Sequence, residues 1–214
     1  MNTLFKVLSA TVLIAACAGS AWASGLESLE KFIKTVATAR TEFTQVVTLP
    51  AKDGQAPRLK TSSGTFEFAR PGRFKFVYKK PFEQTIVADG TTLWLYDVDL
   101  NQVTARKQAS ALGSTPAALI ASAADVRALQ ADFVLTSEAP RDGLDWVLAL
   151  PKAKDSSLQS VRVGFRGADL AQLEILDSFG QKSTLTFRAF APNAALDAAT
   201  FQFKPPVGAD LIRQ

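Results

Sequence analysis

The sequence predicts a mainly β protein with a few helices, built as one curved sheet or incomplete antiparallel β-barrel of about 11 strands. Two observations carry this prediction: runs of alternating apolar and polar residues recur along the chain, and turn residues separate them at short intervals. Connections this short cannot hold crossover helices, so neighbouring strands must be antiparallel. Helical patterns occur at three places, and we expect these helices to lie over the concave face of the sheet.

The first residues of the 214-residue chain have the pattern of an export signal. A single cation precedes an apolar stretch at residues 7–16 that is too short to span a bilayer, and Ala21-Trp22-Ala23 is a small-x-small cleavage site. We therefore expect residues 1–23 to be a signal peptide and residues 24–214 to form a single domain. The alternative is a lipobox ending at Cys17, in which that cysteine would carry a lipid.

The composition excludes several kinds of active site. The chain contains no histidine, and Cys17 is its only cysteine. It therefore lacks the residues for Ser-His-Asp or Cys-His catalysis and for a His-ligated zinc site. The formal net charge of +4 is too small to indicate nucleic-acid binding. We predict a protein that is not an enzyme and uses no metal or cofactor. Paired carboxylates among Asp89, Asp97 and Asp99 are a weak alternative, because aspartate is ordinary in turns.

The expected domain starts with an amphipathic helix. Apolar residues recur at helical spacing from Gly25 to Ala39 and give the helix one apolar stripe. Two strands follow, Thr41 to Leu49 and Lys60 to Phe68, and Arg70-Pro71-Gly72 makes a tight turn after them. We expect the stripe to cover a sheet face that is not completely filled.

The stretch after this turn has the clearest strand pattern. Four short runs lie at residues 73–78, 84–88, 92–96 and 102–106. The connections between them are short and rich in turn residues, so the four runs predict an antiparallel meander. We place this meander in the middle of a large sheet.

Residues 109–130 interrupt the strands with one or two short helices. Thr115 is a good N-cap, Pro116 suits the first helical position, and a second helix start lies at residues 122–125. Short helices of this kind depend on packing for their stability, so we expect them to form a movable cover.

The strand pattern resumes after Gln130. Five runs lie at residues 133–137, 144–150, 158–165, 170–176 and 182–190. A helical turn at residues 196–199 and a last short strand at residues 201–203 complete the prediction.

Several short motifs resemble, in order and spacing, the periplasmic lipoprotein carrier family, LolA. The motifs are RPGRF at 70–74, P-x-x-Q-x-I-V-x-D-G at 81–90, L-W-L-Y-D at 93–97, L-x-Q-V-T at 100–104, Thr115-Pro116, and FQFKPPVG at 201–208. The resemblance implies an open barrel whose apolar concave cavity is lidded by helices and takes the acyl chains of lipoproteins.

The resemblance also implies a compartment and partners. We expect a monomeric periplasmic chaperone that an inner-membrane ABC-type lipoprotein-releasing complex loads and an outer-membrane lipoprotein receptor unloads. The alternative is a related lipid or glycolipid carrier, or a lipoprotein-sensing domain, on the same scaffold.

The same resemblance selects candidate site residues. Arg70 matches the arginine of the family's RPxxF segment, which implies that it closes the lid through hydrogen bonds to helix carbonyls; a solvated turn arginine is the alternative. The candidates for cavity lining or partner contact are Phe66, Phe68, Phe74, Phe76, Trp94, Leu119, Ile120, Phe133, Trp146 and Phe187. Each of these fits an ordinary core equally well, because a shift of one residue in register turns a strand over.

The meander also carries a row of cations. Arg73, Lys75, Lys79 and Lys80 give it a basic outer face. This is either a solvated strand face or an electrostatic dock for an acidic partner or anionic headgroups.

Overall fold

The computed structural model describes residues 24–51, 56–109, 120–121 and 125–214. The described chain forms one 12-stranded sheet with two α-helices, α1 (Gly25–Thr35) and α2 (Val126–Asp132). The strands are β1 (Thr38–Leu49), β2 (Arg58–Ala69), β3 (Arg73–Lys80), β4 (Gln84–Ala88), β5 (Thr92–Asp97), β6 (Gln102–Lys107), β7 (Phe133–Arg141), β8 (Leu144–Pro151), β9 (Leu158–Arg166), β10 (Asp169–Asp177), β11 (Lys182–Pro192) and β12 (Asp210–Arg213). The predicted signal peptide, Thr115-Pro116 and Leu119 lie outside the described residues.

The strand order is β12-β6-β5-β4-β3-β2-β1-β11-β10-β9-β8-β7. Strand β12 runs parallel to β6, and the other neighbouring pairs are antiparallel. Among the described residues, the sheet ends at β7 on one side and at β12 on the other and does not close, so it is an open barrel. The predicted fold class is confirmed, with one strand more than expected.

Strand order corrects the predicted position of the meander. Strands β3 to β6 are an antiparallel meander, as predicted, but they occupy the half of the sheet that ends at β12. The centre is the β1–β2 pair, because β11 returns from late in the chain to pair with β1 along nine register positions. This long-range pairing leaves no signal in the local alternation.

The end of the chain also differs from the prediction. Residues 198–201 form a 3₁₀ turn capped by Asp197, and the last strand is β12 rather than residues 201–203. Phe203 packs its ring against Trp94 and Tyr96, with centroid distances of 5.6 and 6.1 Å. The apolar residues of this segment therefore cover the outer face of β5 instead of extending the sheet.

Helix α1 forms where the apolar stripe was predicted, but it is shorter. Ser24 and Glu27 make a capping box, in which each side chain accepts a hydrogen bond from the other's backbone N–H. The helix ends at Thr35 because Val36 turns to an extended conformation. The next carbonyl, that of Ala37, accepts a hydrogen bond from the Arg70 backbone at 2.9 Å.

Helix α1 docks on the half of the concave face formed by β7, β8 and β9. Ser28 donates to Asp145 at 3.0 Å inside the contact, and the Leu26 backbone donates to Ser137 at 3.0 Å. The stripe residues Leu29, Phe32 and Ile33 are buried. Within the described residues, no helix combines the length and apolar character needed to cross a bilayer.

We predict that Gly25→Ala destabilises the protein by about 1–3 kcal/mol, because the added methyl group overpacks a helix–strand contact. A Cβ atom at Gly25 would lie 1.9 Å from the carbonyl oxygen of Trp146, so helix or strand must shift. Chemical denaturation followed by circular dichroism measures the change. Glu30→Ala, at an exposed position of the same helix, is the control and should stay within about 0.5 kcal/mol. Equal unfolding free energies for Gly25→Ala and the wild type would contradict this packing.

Candidate functional site

The concave face of the sheet carries a continuous apolar cluster that helix α1 covers. Directly paired residues of an antiparallel sheet share a face, so the pairs Phe66–Phe76 and Phe68–Phe74 point to the same side. The rings of Phe66 and Phe76 stack at 4.1 Å. Phe32 of α1 meets Phe68 from above at 6.0 Å. The pairing register thus places the aromatic residues of β2 and β3 on the concave face, where Phe68 meets the helix.

Seven of the predicted cavity residues lie in this cluster. They are Phe66, Phe68, Phe74, Phe76, Ile120, Phe133 and Phe187. Each is at most 7% exposed, so the rings and the apolar cover fill the space between them. Ile120 comes from the short described segment 120–121, which carries the predicted cover onto the sheet.

Trp146 lies on the opposite face of the sheet. Its chain neighbours Asp145 and Val147 face α1 and the core cluster, so alternation points Trp146 away from them. Its ring covers Gly164 of the neighbouring strand, and the Arg141 guanidinium lies 4.0 Å above the ring centroid. The prediction that Trp146 lines a concave cavity does not fit this register.

Trp94 also points away from the concave face. It pairs with Val87 and Ala105, whereas the concave positions of β5 are Leu93 and Leu95. Its indole N–H donates to Asp89 at 2.9 Å. The sequence shows the alternation of a strand but not which of its two faces turns inward. The register contradicts cavity lining for both tryptophans, and partner contact stays a prediction.

Arg70 lies at one end of the concave face, between helix α1 and the aromatic cluster. Its Nε donates to the carbonyl oxygen of Val36, the C-cap of α1, at 3.0 Å. Its guanidinium lies over the rings of Phe32 and Phe68, 4.9 and 5.3 Å from their centroids. Burial lowers the pKa of Arg70 to about 10. Arg70 thus contacts a helix-end carbonyl, as the resemblance implied, but that of α1; its role in lid closure stays a prediction.

Gln108, which sequence analysis missed, ties the turns at this end together. It is 3% exposed, and its Nε2 donates to the carbonyl of Gly72 at 2.6 Å while its Oε1 accepts from the Gly90 backbone at 2.9 Å. The Gly72 backbone N–H donates to the carbonyl of Ala121 at 2.9 Å. One glutamine therefore holds two turns in place, and one of them bonds the cover segment. A single polar residue after a strand gives no periodic signal, so the sequence does not mark it.

The other end of the concave face is polar and holds open space. A cavity of about 530 Å³ is lined there by Gln45, Ser62, Tyr78, Pro81, Phe82, Gln84, Asp97, Asp99 and Leu100. The Tyr78 hydroxyl donates to Gln45 at 3.0 Å. Burial raises the pKa of Tyr78 to about 12. The concave face therefore runs from an aromatic, closed end at Arg70 to a polar, open end.

Asp89, one of the carboxylates considered for catalysis, serves a turn. Its Oδ1 accepts from the backbones of Thr91 and Thr92, both at 2.8 Å, and its Oδ2 accepts from Trp94. Partial burial acts to raise the pKa of Asp89, but these hydrogen bonds outweigh it and hold the pKa below its usual value. The interactions of this carboxylate are those of a structural turn residue.

We predict that Gln108→Ala costs about 1–3 kcal/mol, because it leaves the Gly72 carbonyl and the Gly90 N–H without their buried partner. Hydrogen exchange should accelerate at the amides of Gly72 and Gly90. Gln130→Ala, at an exposed position of α2, is the matched control and should change neither stability nor exchange. Unchanged protection at Gly72 in Gln108→Ala would contradict the role given to this side chain.

We predict that Tyr78 contributes a loss of stability between pH 10 and about 12, measured as the difference between the wild type and Tyr78→Phe. The unfolded state ionises this tyrosine at its ordinary pKa of 10, while the folded state keeps it neutral until about 12. The folded state is therefore disfavoured as pH rises through this window. The chain has only two tyrosines, so an ultraviolet titration of the phenolates resolves them. Tyr78→Phe should remove the ionisation step near pH 12 and the loss of stability that Tyr78 causes below it. A step near pH 12 that persists in the variant would contradict the assignment.

Sequence comparisons place these features in a known family. The family model described as outer membrane lipoprotein carrier protein LolA matches residues 34–204. The outer-membrane lipoprotein carrier protein of Albidiferax ferrireducens is 70% identical over 96% of this chain and 98% of its own length. That of Leptothrix cholodnii is 53% identical over 92% of this chain and 89% of its own length.

Among solved structures, a LolA superfamily protein from Nitrosomonas europaea is 12% identical over 85% of this chain and 99% of its own, with a TM-score of 0.47. That similarity is too distant to add to what the sequence relatives establish. On the family match and the identity to its relatives, the chain belongs to the LolA family of outer membrane lipoprotein carrier proteins.

Proposed function

We propose that the protein is a periplasmic chaperone that binds the acyl chains of lipoproteins released from the inner membrane and delivers them to an outer-membrane receptor. The names of its close relatives support lipoprotein carriage. The observation that carries the proposal is the concave face itself: an aromatic, apolar surface under a helix and a cover segment. The proposal has two further parts. An inner-membrane ABC-type complex loads the carrier, and residues 1–23 are its export signal.

The aromatic cluster suits a carrier that must release its load. Each methylene buried from water is worth about 0.8 kcal/mol, so long acyl chains cannot cross an aqueous compartment uncovered. In this structure the rings and the cover bury one another. Acyl chains that enter would replace those contacts with similar ones, so loaded and empty states differ little in buried apolar area. That balance allows release, with the energy for loading supplied by the partner.

The residues proposed to meet the acyl chains are those of the concave cluster. They are Phe66, Phe68, Phe74, Phe76, Ile120, Phe133 and Phe187. Arg70 is proposed to hold α1 and the cover closed over them. These contacts can open at low cost because water solvates a guanidinium that leaves the cluster. An apolar side chain in the same position would lose free energy when it became exposed to water.

Purification of the protein from the periplasm of its own cell, followed by mass spectrometry of what stays bound, tests this function. We expect acylated N-terminal peptides of lipoproteins. Free lipid or glycolipid alone would favour the related carrier on the same scaffold. Protein that carries no acylated species, even when lipoprotein release is blocked downstream, would contradict acyl-chain carriage.

We predict that Arg70→Leu accumulates as carrier still loaded with lipoprotein. Removal of the bond to Val36 and of the contacts with the two rings disfavours the closed, empty state by about 1–3 kcal/mol, which is a shift of roughly 5- to 150-fold in the loaded-to-empty ratio. Native gels and co-purified lipoprotein measure this ratio.

Arg73→Leu is the matched control for this measurement. Arg73 lies three residues further on, with its guanidinium 5.8 Å from the Phe201 ring centroid on the outer face. Its loss should leave the loaded fraction unchanged. Normal outer-membrane delivery by Arg70→Leu would rule out its role in closure.

A further inference from the structure

Exposed apolar side chains gather at one end of the sheet. Within the described residues, the exposed large apolar side chains are Leu59, Phe82, Val98, Leu100, Val134, Leu150, Phe179, Val207 and Ile212. All except Ile212 lie at the end opposite Arg70, in turns or at the strand ends beside them. Soluble proteins scatter such residues singly, so their collection at one end calls for an explanation.

The apolar tips belong to turns that follow one another along one edge. Phe82 is 70% exposed in the β3–β4 turn, Leu59 is 66% exposed at the start of β2, and Phe179 is 84% exposed in the β10–β11 turn. The strand order places β3, β2, β1, β11 and β10 side by side. Pro50 lies within 3.7 Å of the Cβ position of Gly180, which joins the β10–β11 turn to the end of β1. We call residues 58–60, 79–83 and 177–182 the basal rim.

The rim holds its tips outward by its own hydrogen bonds. Asp177 Oδ1 accepts from the backbone of Phe179 at 2.9 Å and from that of Gln181 at 2.8 Å. This fixes the turn with the Phe179 ring in solvent. In the neighbouring β5–β6 turn, Asp97 accepts from the Leu100 backbone at 3.1 Å and projects Leu100 in the same way.

Cations surround the tips of the basal rim. Residues 58–60, 79–83 and 177–182 contain five lysines and arginines against two acids. The cations are Arg58, Lys60, Lys79, Lys80 and Lys182, and all five are exposed. One of the two acids, Asp177, is engaged in its turn. The basal rim therefore presents separate apolar tips among an excess of three positive charges, next to Asp97 and Asp99 of the β5–β6 turn.

We propose that the basal rim docks reversibly on an anionic phospholipid surface. Separate apolar tips enter the interface between headgroups, while lysines and arginines stay at the headgroup level and contribute about 1 kcal/mol each near an anionic surface. A few tips inserted to interfacial depth give weak, reversible binding. This inference deepens the proposed function, because a carrier between two membranes meets a lipid surface at each.

Docking in this orientation would turn the open end of the concave face toward the lipid. Phe82 of the rim and Leu100 of the neighbouring turn both line the cavity of about 530 Å³, so the cavity opens beside the docking tips. The closed end, with Arg70, would face the aqueous side.

Vesicle flotation tests the proposal on protein expressed with its own leader and purified from the periplasm. With vesicles of phosphatidylglycerol and phosphatidylethanolamine at low salt we expect flotation, and with phosphatidylcholine alone or at high salt we expect little. The double variant Phe82→Ser/Phe179→Ser should bind roughly tenfold more weakly. Ile212→Ser, the same kind of change away from the rim, should bind like the wild type.

The contribution of the rim's lysines and the depth to which Phe82 enters the bilayer are measured separately. Lys79→Gln/Lys80→Gln should weaken binding and reduce its salt dependence, while Lys31→Gln/Lys34→Gln on the exposed face of α1 is the matched control. In the Phe82→Trp variant, vesicles with brominated acyl chains should quench the fluorescence of the new tryptophan. In the Ile212→Trp variant they should not.

The outcomes separate this proposal from the proposed function. Wild-type protein that stays unbound at low salt, or Phe82→Trp that binds without quenching, overturns lipid docking. A further outcome combines two results: Phe82→Ser/Phe179→Ser loses lipoprotein delivery, and the wild type does not bind vesicles. In that case the rim contacts a protein, and the lipid proposal is wrong. Co-purified lipoprotein measured on the same samples reports carriage independently of flotation.

Discussion

The contact between helix α1 and the phenylalanine rings of the concave face is the interaction on which the rest of the structure depends. Phe32 lies within 6.2 Å of the rings of Phe68, Phe165 and Phe190, which belong to strands from both halves of the sheet. One helical side chain therefore bridges the two halves. Without it, an open sheet with two free edges would expose its apolar side, and neither the cover nor the site at Arg70 would have a surface to rest on.

On the proposed function, Arg70 makes the contact between helix α1 and the concave face reversible. A fully apolar junction between helix and sheet would be stable. To open it would cost the hydrophobic free energy of all the area that it buries. A guanidinium within aromatic rings carries a desolvation cost, seen in its lowered pKa, which its hydrogen bond and ring contacts partly offset. The closed arrangement is therefore held by interactions that water can replace. Gln108 fixes the turn that follows Arg70 through its hydrogen bond to the Gly72 carbonyl.

Much of the fold could be predicted because its signals are local. Alternation and turn residues located the strands, and the apolar stripe between Gly25 and Ala39 located the helix. Strand order could not be predicted, because the pairing of β1 with β11 joins residues about 140 apart whose side chains carry no mark of each other. For the same reason, the sequence could not show which face of their strands Trp94 and Trp146 occupy. Both belong to real strands, but inward and outward faces are both apolar here, since the C-terminal segment covers the outside of β5 and Arg141 covers Trp146.

The two ends of the concave face give a carrier of acyl chains a direction. Hydrocarbon is favoured where the rings are, near Arg70, and disfavoured among Gln45, Tyr78 and Gln84 at the open end. An acylated group has the same polarity along its length: methyl ends at one side, amide and ester groups at the other. On the proposed function, the chains therefore enter from the open end with their methyl ends leading, and their polar linkages stay among hydrogen-bonding side chains. The end through which they leave is then the end by which they entered, so loading and unloading use one mouth and require no passage through the sheet.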